Sequence, residues 1–133
     1  MARDKLDVKS IKILFIDDEP EITKIVQTFF SNAGFKCDVG NSAIKGLAKA
    51  KNNIPDVVLL DIVMPEMDGI ELCGQLKQDP ETENIPVLLL TGNDAKYESA
   101  QVYQTGCDLL IKKPFSCERL MDMVLTICDS ANK

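Results

Sequence analysis

The fold is decided by a short stretch in the middle of the chain, Val57-Val58-Leu59-Leu60-Asp61, and by the loop that follows it, Ile62-Val63-Met64-Pro65-Glu66-Met67-Asp68-Gly69. The four apolar residues, two of them β-branched, predict a strand that is buried on both faces, as strands of parallel sheets are. The run ends on Asp61, and open α/β sheets bind their ligands at the carboxyl ends of their strands. We therefore expect Asp61 to lie at the functional site.

The composition is that of one globular domain. The 133 residues are 45% hydrophobic and 27% charged, which is ordinary for a folded protein with a core. A net charge of −6 argues against direct nucleic-acid binding, which needs a basic surface. No apolar run approaches the roughly 20 residues of a membrane span, and the N-terminal residues lack the apolar centre of a signal peptide. We therefore expect a cytoplasmic protein that does not insert into membranes.

The cysteines indicate neither a zinc site nor a disulfide framework. They are odd in number, form no C-x-x-C pair, and the chain contains no histidine. Small buried thiols in a reducing compartment are the simpler interpretation. The five cysteines are Cys37, Cys73, Cys107, Cys117 and Cys128.

Short apolar runs alternate with helical patterns along the chain, which predicts a parallel sheet covered by helices on both faces. The predicted strands are residues 11–16, 35–40, 57–61, 87–91 and 108–113. The predicted helices begin near Pro20, Ser42, Gly69, Asp94 and Ser116. In the first helix, the 3.6-residue period predicts an inward face made of Ile22, Ile25, Val26, Phe29, Phe30 and Ala33. Residues 1–10 have no periodicity and are predicted to be a flexible leader, so the folded domain would span residues 11–133.

Polar residues stand where the predicted strands end. The first strand ends at Asp17-Asp18, the third at Asp61, the fourth at Thr91 and the fifth at Lys113. Because the carboxyl ends of parallel strands meet at one edge of the sheet, these side chains are expected to converge on a single crevice.

The chemistry of these strand-end side chains indicates phosphoryl transfer beside a metal ion. Carboxylates about 4 Å apart repel one another by on the order of 4 kcal/mol at an effective dielectric constant of 20, so three of them favour a divalent cation. Oxygen ligands with open positions suit Mg²⁺. A lysine and a hydroxyl at the same point suit the oxygens of a phosphoryl group.

In these residues the chain resembles the response-regulator receiver domains of two-component signalling, the CheY-like family. The resemblance rests on the strand-end residues and spans nearly the whole chain from Ile11. It implies a flavodoxin-like, doubly wound (βα)5 fold with a five-stranded parallel sheet of strand order 2-1-3-4-5. The matching motifs are Asp17-Asp18, Asp61 with Met64-Pro65-x-Met67-Asp68-Gly69, Thr91, and Lys113-Pro114-Phe115.

The resemblance also implies roles for individual residues. Asp61 would accept a phosphoryl group from a histidine of a sensor kinase or phosphotransfer protein, and Thr91 and Lys113 would hold the phosphoryl oxygens. The metal ligands of a Mg²⁺ ion would be Asp17, Asp18, Asp61 and the backbone carbonyl of Val63. The Lys113-Pro114 bond would be cis, an isomer that proline makes accessible.

Phosphorylation would switch a surface that binds a downstream protein target, because no DNA-binding or enzymatic segment follows Lys133. The chain would catalyse only its own phosphorylation and dephosphorylation and would not be an enzyme in the usual sense. One departure from the family pattern is Leu110, which stands where receivers often have the tyrosine or phenylalanine that moves on activation.

Three alternative functions remain open from the sequence. A Mg²⁺-dependent phosphohydrolase with an aspartyl nucleophile would use similar chemistry, although such enzymes usually carry Asp-x-Asp and an inserted cap. A flavodoxin-like nucleotide binder would have an uncharged phosphate loop. An interaction module that works without phosphorylation would have no need of Asp61, Thr91 and Lys113 together.

Simple structural roles also exist for the individual residues. Asp17-Asp18 suits the capping of a helix, Thr91 suits the same role, and Asp68 is best explained as a helix cap. Lys112 is expected to be a solvated strand end. Asp61 has no such simple explanation, because four apolar residues deliver it to the edge of the sheet.

Overall fold

The computed structural model describes residues 10–65, 67–92 and 104–131. Five strands form one parallel sheet in the order β2-β1-β3-β4-β5. The strands are β1 (Lys12–Ile16), β2 (Lys36–Gly40), β3 (Val57–Asp61), β4 (Val87–Thr91) and β5 (Leu109–Lys112). The described helices are α1 (Pro20–Asn32), α2 (Ala43–Asn52), α3 (Gly69–Gln78) and α4 (Cys117–Ala131). The predicted flavodoxin-like fold and its strand order are confirmed.

Some predicted segments lie outside the described residues. These are the leader apart from Ser10 and nearly all of the helix predicted from Asp94 to Gln104. Within the described ranges, no helix combines the length and the apolar content that crossing a bilayer requires.

The sheet separates two hydrophobic layers. On one face, Leu14, Val58, Leu60 and Leu89 pack against α2 and α3. On the other face, the alternate strand residues pack against α1 and α4. Strand β3 is buried along its whole length, as its apolar sequence predicted. Because β3 lies between β1 and β4, the pairing of the strands brings Asp61 beside Leu90, one residue before Thr91.

The inward face of α1 differs from the prediction at two positions. Ile25 is 59% exposed and Ala33 is exposed, whereas Thr23 is buried together with Val26 and Phe30. Each residue advances a helix by about 100°, so Ile25 lies about 100° around the axis from Val26. The sheet buries a strip of the α1 surface that is narrower than the apolar stripe of the helix. Hydrophobicity alone therefore does not show where the buried strip ends.

Other local predictions need only small changes. The Ser42 and Asp68 side chains cap α2 and α3 by accepting hydrogen bonds from the N–H groups of Lys45 and Glu71. Strand β5 ends at Lys112, so Lys113 lies in the loop immediately after it. The Lys113–Pro114 peptide bond is cis, as the resemblance implied.

Glycine is required at one position beside the site. A Cβ atom at Gly69 would collide with the carbonyl oxygen of Asp61 and would lie 2.8 Å from the Cα of Ile62. The N–H of Gly69 donates a hydrogen bond to the Ile62 carbonyl at 2.6 Å. Glycine therefore allows the start of α3 to pack directly against the end of β3, which fixes the backbone that carries Asp61.

Candidate functional site

The acidic loop after β1 is held on both sides by hydrogen bonds. Asp17 is fully buried, and its N–H donates to the Gly40 carbonyl at 3.1 Å. Its Oδ1 accepts a hydrogen bond from the N–H of Glu19 at 3.0 Å, at the start of α1. Its Oδ2 is buried and has no hydrogen-bond partner among the described residues. The N-cap of α1 is Glu19 and has no side-chain cap, so Asp17 binds the residue before the helix and does not cap the helix itself. This bond uses only one of the two Asp17 oxygens, and the second is left for a ligand.

Asp61 forms an ion pair with Lys113, the lysine predicted to lie at the site. Its side chain is buried, and its Oδ1 lies 2.9 Å from Nζ of Lys113. The Lys113 side chain is about one third exposed, so the ammonium group reaches Asp61 from the rim of the crevice. Lys112 is exposed, as predicted.

The structure brings three carboxylates together. One oxygen from each of Asp17, Asp18 and Asp61 lies within 4.8 Å of the others. At this separation each charged pair repels by on the order of 3–4 kcal/mol at an effective dielectric constant of 20. Lys113 balances one charge, so the cluster retains an excess of negative charge. The all-oxygen donor set and the unpartnered Asp17 Oδ2 fit a hard divalent cation such as Mg²⁺.

The electrostatics of the cluster follow from burial and like charge. Burial, followed by the charge of Asp61, raises the pKa of Asp17 from 3.8 to about 6, against the lowering effect of the Glu19 N–H. Burial also raises the pKa of Asp61, although the Lys113 ammonium opposes that shift. Burial alone would lower the pKa of Lys113, but the hydrogen bond and charge of Asp61 raise it, so this lysine stays protonated.

Asp17 is expected to destabilise the metal-free protein at neutral pH. Because its pKa is about 6 in the folded state against 3.8 ordinarily, the folded state keeps a proton that the unfolded state has lost. Stability therefore falls as pH rises from about 4 to 6, and the cost persists above that range. Asp17→Asn should raise the free energy of unfolding by roughly 1–3 kcal/mol at pH 7.5 with a chelator present. Urea unfolding at several pH values measures this.

The Asp17→Asn gain should shrink towards zero near pH 4, where Asp17 is largely protonated in the folded state and about half protonated in the unfolded state. The exposed Asp122→Asn on α4 is the matched control for the lost charge and should change stability by less than about 0.5 kcal/mol. A gain of the same size at pH 4 and pH 7.5 would contradict the electrostatic explanation.

Neither Thr91 nor Val63 forms a side-chain hydrogen bond with the three carboxylates in the described part of the chain. Thr91 ends β4 and is buried, and its hydroxyl donates to the Gly92 carbonyl at 3.2 Å. Val63 is 58% exposed in the loop after β3. The roles of the Thr91 hydroxyl and of the Val63 carbonyl remain predictions. Leu110 is half-buried on β5 and packs against the layer under α2 and α3.

Two residues that support the acidic loop were missed from the sequence. The side-chain amide of Asn41 donates to the Asp17 carbonyl at 3.3 Å and to the Thr23 hydroxyl at 2.9 Å. The Thr23 hydroxyl donates in turn to the Pro20 carbonyl at 3.0 Å. Asn41 directly follows the end of β2, and this position after a strand is the sequence signal that identifies it. Thr23 carries no comparable signal.

Comparisons with known proteins agree on one family. The family model for the response regulator receiver domain matches residues 13–125. The response regulator Rre1 of Synechocystis sp. is 35% identical over 115 residues, which cover 86% of this chain and 50% of that protein. The chain thus spans about half the length of the curated relatives that it matches first.

Solved structures give the same result. The receiver domain of the Francisella response regulator 1452 has a TM-score of 0.82 and 29% identity, covering 93% of this chain and 100% of that one. The Vibrio cholerae chemotaxis protein CheY4 has a TM-score of 0.80 and 26% identity, covering 88% of this chain and 98% of that one.

Proposed function

The chain belongs to the response-regulator receiver domains of two-component systems, and we propose that Asp61 is its phosphoacceptor. One observation carries the proposal: a buried carboxylate at the end of the central strand lies within a cluster of acids and is paired with an ammonium group at 2.9 Å. Receiver domains are not classical enzymes. The proposed chemistry is limited to phosphorylation and dephosphorylation of the chain itself.

The proposed step is nucleophilic substitution at phosphorus. A carboxylate oxygen of Asp61 attacks the phosphorus of a phosphohistidine, the P–N bond breaks, and the donor imidazole leaves with the electron pair. The product is an acyl phosphate on Asp61. The step needs Asp61 in its ionised form, and Lys113 favours that form by holding its positive charge against Oδ1.

Lys113 and Thr91 are proposed to hold the transferred group. After transfer, the Lys113 ammonium donates to a phosphoryl oxygen in place of the carboxylate oxygen that it now contacts. The Thr91 hydroxyl makes a 3.2 Å hydrogen bond to its neighbour's carbonyl, which is long for an O–H donor and therefore weak. A charge-assisted bond to a phosphoryl oxygen is stronger, so the hydroxyl should turn towards it.

Asp17, Asp18, Asp61 and the Val63 carbonyl are proposed to hold Mg²⁺. The bound cation would supply charge neutralisation for the carboxylates and for the phosphoryl oxygens. The unpartnered Oδ2 of Asp17 supports this assignment, because a buried carboxylate oxygen without a hydrogen bond is costly unless something binds it. The bonds from Glu19 and Asn41 keep the acidic loop in place.

The proposed partners follow from the family. The donor would be a sensor histidine kinase or a histidine phosphotransfer protein, and a downstream protein would respond to the phosphorylated state. The chain covers about half the length of each of its first curated relatives. The response to phosphorylation is therefore proposed for this domain only, as binding to a downstream protein.

Acetyl phosphate tests the proposed function. With Mg²⁺ present, intact-mass spectrometry should show one added phosphoryl group that hydroxylamine removes, as an acyl phosphate requires. The same sample should not turn over p-nitrophenyl phosphate, which an aspartyl phosphohydrolase would hydrolyse. An unmodified mass under conditions that label a known receiver, or sustained ester turnover, would overturn the proposal.

Val63 is expected to lengthen the life of the phosphorylated state. In receivers the second residue after the acceptor borders the path of the attacking water, and valine cannot orient water by hydrogen bonding. Because Val63 is exposed, a substitution there should not disturb the core. Val63→Asn should speed hydrolysis of the acyl phosphate severalfold, measured by the decay of the phosphorylated mass. Ile54→Asn, which likewise replaces an exposed β-branched residue, is the control. An unchanged or slower decay in Val63→Asn would contradict the expectation.

A further inference from the structure

Strand β2 forms one edge of the sheet, and its outward backbone groups can be identified from its pairing with β1. The N–H of Lys36 donates to the Ile11 carbonyl, and the Gly40 carbonyl accepts from the N–H of Asp17. In a parallel pair, alternate residues direct both backbone groups towards the neighbouring strand. Lys36 and Gly40 therefore face β1, and Cys37 and Val39 direct their N–H and C=O groups away from the sheet.

Side chains occupy three of these four outward groups. The Gln27 side-chain amide donates to the Cys37 carbonyl at 2.9 Å. The Lys49 ammonium donates to the Val39 carbonyl at 2.7 Å, and Oδ1 of Asp38 accepts from the N–H of Val39 at 2.8 Å. The edge of β2 is thus hydrogen-bonded over its central residues without a further strand.

The two donors reach the edge from opposite faces of the sheet. Gln27 belongs to α1, which packs in one hydrophobic layer, and Lys49 belongs to α2, which packs in the other. Lys49 also forms an ion pair with Asp38 at 2.9 Å. Both side chains of that pair are about half exposed, so the pair contributes little to stability. Its effect is to hold the ammonium and the carboxylate at the outward groups of Val39.

We propose that Gln27, Asp38 and Lys49 form a clamp that closes the β2 edge to strand pairing, and that the strand it excludes is β2 of a second copy of this chain. A row of unpaired N–H and C=O groups on an edge strand is a template for association, and folded proteins protect such edges with charged side chains. Here the protection consists of direct hydrogen bonds to the groups that a partner strand would use.

Charge complementarity favours a second copy as the excluded partner. Two β2 strands related by a two-fold axis pair antiparallel, and a register with Cys37 opposite Cys37 joins the outward N–H and C=O groups of that residue in the two copies. In that register Lys36 of each copy lies opposite Asp38 of the other. Opposite charges across antiparallel strands stabilise the pairing. The clamp prevents this, because the Cys37 carbonyl already accepts from Gln27 and Asp38 is already bound to Lys49.

The test removes the clamp and measures self-association of the full chain. Gln27→Ala with Lys49→Ala clears both donors while keeping residues that favour a helix. The matched control, Lys45→Ala with Gln78→Ala, makes the same changes at exposed positions whose side chains form no hydrogen bond to β2 among the described residues. In sedimentation equilibrium, the clamp-free variant should dimerise at least about tenfold more tightly than the wild type, and the control should match the wild type.

A charge reversal separates strand pairing from non-specific association. Adding Lys36→Glu to the clamp-free variant places a second carboxylate opposite Asp38 of the other copy, and like charges there should return association to the wild-type level. A clamp-free variant that associates no more than the wild type overturns the proposal. Association that persists after Lys36→Glu overturns it as well, since it does not use the proposed register.

Amide hydrogen exchange tests the clamp first in the unaltered chain, where the result does not depend on the folding of a variant. The Val39 N–H lies on the open edge of the sheet, but its hydrogen bond to Asp38 should slow its exchange. Asp38→Ala should restore rapid exchange at Val39 and leave the Lys36 amide protected by its bond to β1. Exchange at Val39 in the wild type as fast as in an unstructured peptide would show that the edge is open, which overturns the proposal.

Discussion

Replacing Asp61 by Asn should abolish phosphorylation by acetyl phosphate. The asparagine amide keeps the size and planar shape of the side chain but is not a nucleophile that forms an acyl phosphate. Labelling should fall at least about a hundredfold, to the background of intact-mass spectrometry, as expected when the nucleophile of a covalent step is removed.

The matched control for Asp61→Asn is Asp122→Asn, which removes one carboxylate from the exposed face of α4 and should label as the wild type does. Folding of both variants is checked by their amide spectra. Asp61→Asn should not leave a costly buried charge, because the Lys113 side chain that loses its partner is about one third exposed. If Asp61→Asn took up one phosphoryl group per chain at the wild-type rate, Asp61 would not be the acceptor. The carboxylate cluster would then need another explanation.

The second large effect concerns the metal. Asp18→Asn removes one of the three carboxylates that could hold Mg²⁺, so Mg²⁺ affinity, measured by calorimetric titration, should fall at least about tenfold. Phosphorylation at a fixed, subsaturating Mg²⁺ concentration should fall with it. High Mg²⁺ should recover part of the lost labelling, because the acceptor and its lysine are intact.

Lys113→Ala should separate the role of the lysine from that of the metal ligands. The Lys113 ammonium occupies Oδ1 of Asp61 and repels a nearby cation, so its removal should leave Mg²⁺ affinity unchanged or raise it. Labelling should nevertheless fall about tenfold or more, because one donor to the phosphoryl oxygens is lost. Unchanged Mg²⁺ affinity in Asp18→Asn would mean that Asp18 is not a metal ligand and that the acidic loop has only a structural role before α1. A loss of Mg²⁺ affinity in Lys113→Ala would contradict the assigned role of that lysine.

The edge clamp and the phosphoacceptor site can be tested independently. Gln27 and Lys49 contact the edge of β2, whereas the acidic cluster lies between the ends of β1 and β3. The clamp-free variant is therefore expected to accept phosphate at the wild-type rate while its self-association changes. Failure of one proposal would leave the other standing.

Much of the fold was predictable because its signals are local. Apolar runs that end on polar residues located the strands, and Pro20, Ser42, Asp68 and Ser116 located the starts of helices through their capping and φ preferences. The resemblance supplied the strand order, and the structure confirms it. Segment ends shifted by about one residue, because hydrogen bonds to a neighbouring strand, and not composition, decide where a strand stops.

The candidate site was predictable in its membership but not in its contacts. Parallel strands end at one edge, so the sequence alone implied that Asp17, Asp18 and Asp61 meet, and the structure brings them together. Which oxygen of Asp17 binds Glu19 and which stays without a partner depends on the path of the loop. The hydrogen-bond partner of a side chain depends on differences in distance of a few tenths of an ångström, which no sequence pattern encodes.

Only the tertiary structure decided which surfaces are covered. The apolar stripe of α1 is wider than the strip that the sheet buries, so Ile25 is exposed although its spacing predicts burial. Gln27 and Lys49 have no signal in the sequence, because two helices must pack on opposite faces before both side chains reach one edge. Local preferences thus determined the elements and the chemistry at their ends. Packing determined exposure and hydrogen-bond partners, because these depend on residues that are distant in sequence.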